Sequence, residues 1–283
     1  MIKDSLISKP TIKNRSLSTR LHIPIISFLL LFLANSTTAQ EQIIIESQYL
    51  KCNDTVLVFT PSNVNEKSPT LFLLHGWSGA YSDWSSKTDI QKVSDKFGFR
   101  IITPDGFYNS WYLNNVDTNK MQWRTFFDKE LYPKMKERYN LDAKRTFITG
   151  LSMGGHGAIN IFIDDTTRFR AAGSMSGVLN LQDTRLKKTQ MNEVLGTYSP
   201  ENSLFDSSSA INRLDSIKGS EKMMVISCGA QDGLVKSAKD FAERCNQMEI
   251  ANTLIISPGN HTWDYWIFAL DLHLFLFKKY LNE

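Results

Sequence analysis

The sequence predicts an α/β fold, with a mostly parallel sheet flanked by helices on both faces. Two observations carry that expectation. After residue 40, short apolar runs alternate with stretches of helical composition, the rhythm of repeated strand–helix units. One of those runs, Thr70–Leu74 (TLFLL), is apolar almost throughout, as a strand covered on both faces is.

The elements follow in order. Ile43–Ile45 and Val56–Phe59 read as two opening strands paired in an antiparallel hairpin. Thr70–Leu74 is the next strand and leads into a glycine-containing turn. Ile90–Phe97 reads as a short helix, and Arg100–Thr103 as a strand stopped by the turn cluster Pro104-Asp105-Gly106. Met121–Tyr139 is helical in composition, with Pro133 expected to kink or split it. Thr146–Thr149 is a buried strand, followed by a helix from Met153. Phe169–Ser174, Met223–Ser227 and Leu254–Ile256 are the remaining strands. A helix runs through Cys245, and Trp263–Tyr280 closes the chain with a helix rich in Leu and Phe. Residues 178–220 break the rhythm. They are polar, contain Ser207-Ser208-Ser209 and show no clear strand, so they read as an insertion over the site.

Composition narrows the class. Of the 283 residues, 42% are apolar and 22% charged, which is ordinary globular usage and excludes a disordered or collagen-like chain. Five basic residues and one acid lie in the first 39 positions, so the rest of the chain carries about −1 of the formal +3. A body so near neutrality gives no reason to expect nucleic acid or an anionic membrane surface as partner.

The first 39 residues read as a secretory signal. A basic region ends at Arg20, the apolar stretch Ile23–Ala34 follows, and small residues end at Ala39 before Gln40. That stretch is 12 residues long, short of the roughly 20 that span a bilayer as a helix. The expected product is residues 40–283, secreted or periplasmic and not inserted in a membrane; an uncleaved anchor is the alternative. Three cysteines, Cys52, Cys228 and Cys245, allow at most one disulfide. Without CxxC or a Cys/His cluster, neither metal nor cofactor is expected.

The motif that carries chemistry is Gly150-Leu151-Ser152-Met153-Gly154, a G-x-S-x-G placed between a strand and a helix. The sharp turn between them admits only small flanking residues and lifts the Ser152 hydroxyl off the backbone. It also aims the first amides of the following helix at the position where an oxyanion would develop. A serine hydroxyl is a weak nucleophile and needs a base. His22 lies in the leader, and His75 belongs to the turn after Thr70–Leu74. His156 is tied to the same helix as Ser152, and His273 sits midway along the apolar closing helix. His261, in the Pro258-Gly259-Asn260 loop after the last strand, can reach across the sheet and is the expected base. Asp232, after the strand end Cys228-Gly229, is the expected acid. Asp264 is the alternative, expected instead to cap the closing helix. The chain order Ser152, Asp232, His261 is that of the α/β hydrolases. Met153 N–H and Trp77 N–H, from Leu74-His75-Gly76-Trp77, are the expected oxyanion donors. Ser110, Trp111 and Tyr112 are candidate substrate-binding residues, with core packing as the other reading.

Together these stretches resemble the esterase family of secreted feruloyl and acetylxylan esterases, tributyrin esterases, S-formylglutathione hydrolases and mycolyltransferases. The matching residues run from Leu74-His75-Gly76 with Gly79 and Asp83-Trp84, through Asn109-Ser110-Trp111-Tyr112 and Glu137-Arg138-Tyr139. They continue through Phe147–Ala158 (FITGLSMGGHGA) to Cys228-Gly229, Asp232, His261, Trp263 and Trp266. The resemblance implies an α/β-hydrolase fold and acyl-ester hydrolysis without a metal. Within it, Ser152, Asp232 and His261 correspond to the catalytic residues, and Trp77 and Met153 to the oxyanion donors. The expected partner is a small-molecule or polysaccharide-linked ester, with a general short-chain carboxylesterase or a non-catalytic binding protein as the competing readings.

Overall fold

The computed structural model describes residues 40–183 and 188–281; the leader read from residues 1–39 lies outside them. One eight-stranded sheet runs in the order β1-β2-β4-β3-β5-β6-β7-β8. Its strands are β1 (Gln40–Glu46), β2 (Asn53–Phe59), β3 (Thr70–Leu74), β4 (Arg100–Pro104), β5 (Thr146–Gly150), β6 (Ala171–Met175), β7 (Met224–Gly229) and β8 (Asn252–Ser257). β1 pairs antiparallel with β2, and β2 with β4, while all other neighbours are parallel.

The period-2 alternation of a strand decides what each face of the sheet buries. In β3, Phe72 and Leu74 join the apolar cluster under one set of helices, and Leu71 and Leu73 join the cluster on the other face. That double burial is why the run is apolar from Leu71 to Leu74. The second cluster packs against α1 (Asp83–Lys87), α2 (Ile90–Phe97) and the closing helix. α2 has sharp limits for local reasons. Asp89 caps its start by accepting from Lys92 N–H at 3.1 Å, and Gly98 at φ 78° ends it.

The helical stretch after Met121 divides in three: α3 (Trp123–Phe126), a π-helical turn (Phe127–Leu131) and α4 (Tyr132–Tyr139). Pro133 stands in the first turn of α4, where its missing N–H does least harm, and the wider turn just before it absorbs the break. The remaining helices are α5 (Met153–Asp164), α6 (Asn192–Leu195), α7 (Ser203–Ser207), α8 (Val235–Gln247) and α9 (Trp263–Tyr280). The described part of 178–220 holds only short helical turns. Leu179, Phe205 and Leu214 from it are buried in the first cluster. It is therefore folded onto the body, and Val178 and Gln190 reach the cleft described below.

Among the described residues, no helix is long and apolar enough to cross a membrane. Cys52, Cys228 and Cys245 are all free thiols.

Candidate active site

The nucleophile turn is held by contacts between backbones. Ser152 joins β5 to α5 at φ 50°, ψ −114°, a conformation that few non-glycine residues adopt. Its N–H donates to Met175 C=O at 2.9 Å, and its C=O accepts from His156 N–H at 3.1 Å. The flanking glycines have no space for a side chain. A Cβ on Gly150 would lie 2.5 Å from Gly154 C, and one on Gly154 would lie 2.5 Å from both Leu74 O and His75 O. The G-x-S-x-G spacing is thus what lets β5, β3 and α5 converge beneath one hydroxyl.

Two neighbouring strand ends bring up the other groups. Ala230 N–H donates to Ser257 C=O at 2.8 Å and Gln231 N–H to Gly259 C=O at 3.0 Å, joining the turn after β7 to the loop after β8. The Gln231 side chain closes the same junction by accepting from Gly259 N–H at 2.8 Å. Asp232 and His261 are therefore fixed relative to each other before either meets Ser152.

His261 Nδ1 donates to Asp232 Oδ2 at 2.8 Å, and His261 Nε2 accepts from Ser152 Oγ at 2.9 Å. An ionised carboxylate only accepts, so this network places the imidazole proton on Nδ1 and leaves Nε2 free for the hydroxyl. Burial pushes the Asp232 carboxyl up, but hydrogen bonds from His261 and Leu234 N–H, with the His261 charge, outweigh it and hold the group below the usual carboxylate range. The Leu234 bond, to Asp232 Oδ1, is 2.8 Å long. Trp266 presents an edge-to-face contact to the His261 ring at a centroid distance of 4.9 Å, which limits how that ring can turn.

The two amides expected as oxyanion donors belong to segments that border Ser152: Met153 follows it directly, and a Cβ on Gly76 would lie 3.7 Å from Ser152 Cβ. Met153 opens α5, and the first amides of a helix have no intrahelical acceptor. The Gly76–Trp77 peptide sits on the nucleophile turn so closely that a Cβ on Gly76 would lie 2.5 Å from Leu151 Cδ1. Its carbonyl accepts from His75 Nδ1 at 2.8 Å. The tautomer follows from the other ring nitrogen: Gly106 N–H donates to His75 Nε2 at 2.7 Å, which outranks a 3.3 Å approach of Asp105 Oδ1. Because a peptide unit is planar, fixing the Gly76 carbonyl also fixes the direction of Trp77 N–H. No acceptor among the described residues takes that N–H.

Two further histidines are structural. Burial pushes His156 down to about 4 and His273 down to about 3, so both are neutral near pH 7. His156 Nδ1 lies 3.1 Å from Val178 O, and His273 bridges Thr149 and Ser227 at 3.0 and 2.9 Å. Asp264 does not cap α9 as the sequence suggested. Thr262 holds the N-cap position without a side-chain bond, and Asp264 stands exposed in the first turn.

The Ser152 hydroxyl and His261 open onto a cleft of about 900 Å3. Of the three residues proposed to line it, the structure brings only Trp111 there. Tyr112 is core: its OH donates to His75 C=O at 2.9 Å, and its ring packs against Gly106, Gly157 and Trp123. Ser110 is buried, donates to Gly106 C=O and accepts from Tyr112 N–H at 3.0 Å, so its hydroxyl is spent on the loop. Trp111 and Tyr112 both have positive φ, 53° and 59°, so the pair follows neither strand nor helix geometry, and Trp111 lines the cleft while Tyr112 packs in the core. Trp263 and Trp266 line the cleft as well, although the sequence reading gave them no site role. Their three-residue spacing on the helix next to His261 is the signal that places them on one face.

The sheet order and the strand-end placement of these groups define an α/β hydrolase. The chain belongs to the esterase family, whose model, described as "Putative esterase", matches residues 47–275, and it is a carboxylic ester hydrolase. An acetyl esterase of Caldicellulosiruptor saccharolyticus is 29% identical over 248 residues, covering 80% of this chain and 92% of that protein. An S-formylglutathione hydrolase of Bos taurus is 23% identical, covering 84% and 92%. Among solved structures, a fluorophosphonate-binding serine hydrolase of Staphylococcus aureus, FphF, superposes with a TM-score of 0.74 at 23% identity, covering 85% of this chain and 98% of that one. A ferulic acid esterase superposes at 0.71 and 22%, covering 86% and 98%.

Proposed function

We propose that the protein is an exported serine esterase that works through an acyl-enzyme, with Ser152 as nucleophile. The carrying observation is the unbroken hydrogen-bond chain from Ser152 Oγ through His261 to Asp232, at 2.9 and 2.8 Å, opening on the cleft. His261 Nε2 takes the Ser152 proton as Oγ attacks the ester carbonyl. Met153 and Trp77 amides hold the oxyanion. As the intermediate collapses, the bond to the alcohol breaks and His261 returns the proton to that alcohol. His261 then deprotonates a water, which attacks the acyl carbonyl; as the bond to Ser152 Oγ breaks, the carboxylic acid leaves and His261 returns the proton to Oγ. Asp232 holds the imidazole in the productive tautomer and stabilises its positive charge.

The substrate is a short acyl or aryl ester, with acetyl or feruloyl groups of plant polysaccharide as the favoured class. A leader-like N-terminus, four tryptophans around the cleft and the acetyl esterase relative support that reading. The reading involves no nucleic acid and no stable membrane insertion after removal of the leader. The test is initial rates of the purified protein on methyl ferulate and on 4-nitrophenyl acetate, with Ser152→Ala as blank. Turnover of both, lost in the variant, supports the feruloyl branch. Turnover of the acetate alone supports an acetyl or short-chain esterase. Equal rates for wild type and variant on both would reject Ser152 as nucleophile.

A further inference from the structure

Beside the cleft lies a second cavity of about 460 Å3, within the about 300–1,000 Å3 that ligand pockets occupy. The two share a wall. Asn109 lines the second cavity, and its Oδ1 accepts from the indole N–H of Trp77 at 3.2 Å and of Trp111 at 2.9 Å. Both tryptophans line the cleft. On the other side, Asn109 Nδ2 donates to Glu193 Oε2 at 3.3 Å.

At the surface an aromatic ridge joins them. Trp77 and Tyr108 meet edge to face with centroids 5.0 Å apart, one on the cleft and the other on the second cavity. Trp77 is 36% and Tyr108 61% exposed, so the ridge presents apolar ring surface to water beside the nucleophile. The polar side chains lining the second cavity are Tyr108, Asn109, Ser110, Asn115, Lys120 and Glu193. Asn109 Oδ1 is filled by the two indoles and the Ser110 hydroxyl by its own loop, which leaves one ammonium, one carboxylate, the Tyr108 phenol and the second amide hydrogens of Asn109 and Asn115 as donors and acceptors with no net charge. A phosphate or a metal ion would call for one sign. A neutral sugar matches both features: its hydroxyl edges donate and accept, and its C–H faces cover aromatic rings.

We propose that this cavity and the Trp77–Tyr108 ridge form an accessory subsite for sugar units of a neutral oligosaccharide whose ester group is bound at Ser152. The proposal rests on the esterase reading and names its substrate class. The full-length protein is assayed on acetylated xylohexaose and on 4-nitrophenyl acetate, which is too small to reach past the ridge. Tyr108→Ala lowers the ratio of kcat/KM on the hexaose ester to that on the aryl ester by about tenfold, through KM. Tyr108→Phe keeps the ring and keeps the ratio. Binding is read separately from turnover, by tryptophan fluorescence of Ser152→Ala protein titrated with unesterified xylohexaose. Saturable quenching that weakens when Tyr108→Ala is added supports the subsite. A ratio unchanged by Tyr108→Ala, or no saturable quenching, overturns it. If wild type hydrolyses neither ester, the esterase reading fails and the titration still decides the subsite.

Discussion

The nucleophile turn and the Asp105–Asn115 loop meet at one cleft, and both hold non-glycine residues at positive φ: Ser152 in the first, Phe107, Trp111 and Tyr112 in the second. They hold them by different means. Around Ser152 the restraint is backbone against backbone, because Gly150 and Gly154 leave no space for a Cβ. In the loop the restraint is polar side chains. Asp105 accepts from Phe107 N–H at 2.6 Å, Tyr112 reaches His75 C=O at 2.9 Å, and Asn109 ties two indoles together. The nucleophile thus sits on a turn closed by backbone packing, and the cleft wall sits where a single side-chain exchange removes the acceptor shared by two tryptophans.

That contrast can be broken or sharpened by substitution. The largest effect belongs to the turn. Ser152→Ala should lower kcat on 4-nitrophenyl acetate by about 10^4-fold or more with the thermal midpoint nearly unchanged. Asp232→Asn should reach about 10^4-fold by favouring the wrong imidazole tautomer, with KM little altered. Gly154→Ala should act on stability instead, because its Cβ would meet Leu74 O and His75 O at 2.5 Å. A loss of about 1–3 kcal/mol in urea unfolding is expected. Asn109→Leu, in the loop, should be milder, near 1 kcal/mol in stability. Its clearer signature is a several-fold fall in kcat/KM as Trp77 and Trp111 lose a shared acceptor. An Asn109→Leu protein with wild-type kinetics and a Gly154→Ala protein with wild-type stability would erase the distinction.

Each region also rests on a buried imidazole, His273 beneath β5 and β7 and His156 behind Trp111. Both are held below the ordinary 6.5, to about 3 and about 4. Below pH 6.5 the unfolded chain takes up protons that the folded chain refuses, so folding stability is full above that pH and falls with acidification. The slope is about 1.4 kcal/mol per pH unit for each imidazole, until its folded pKa is reached. Urea unfolding between pH 7 and pH 5 measures it, and His273→Gln should flatten the curve.

The same contrast governs what the sequence made legible. β3, α2 and α9 emerge with the limits read from their apolar runs, because Asp89 and Gly98 mark α2 and unbroken burial marks β3. Ser152, Asp232 and His261 were legible because each stands at a strand end in the required chain order, and the structure brings them together. Tyr112 was misplaced because consecutive positive-φ residues have no sequence period, and the residue types that line a cleft also fill a core; Ser110 lines the neighbouring cavity instead of the cleft. The Asp264 cap failed for a similar reason: the residue type suits a helix start, but the loop from His261 delivers Thr262 to that position.

The central claim is that Ser152 becomes acylated. Mixing the protein with 4-nitrophenyl acetate, quenching in acid during turnover and mapping the peptides by mass spectrometry tests it directly. One acetyl group on the peptide holding Ser152, absent from Ser152→Ala, is the predicted result. Steady hydrolysis with the acetyl group on another residue would contradict the account.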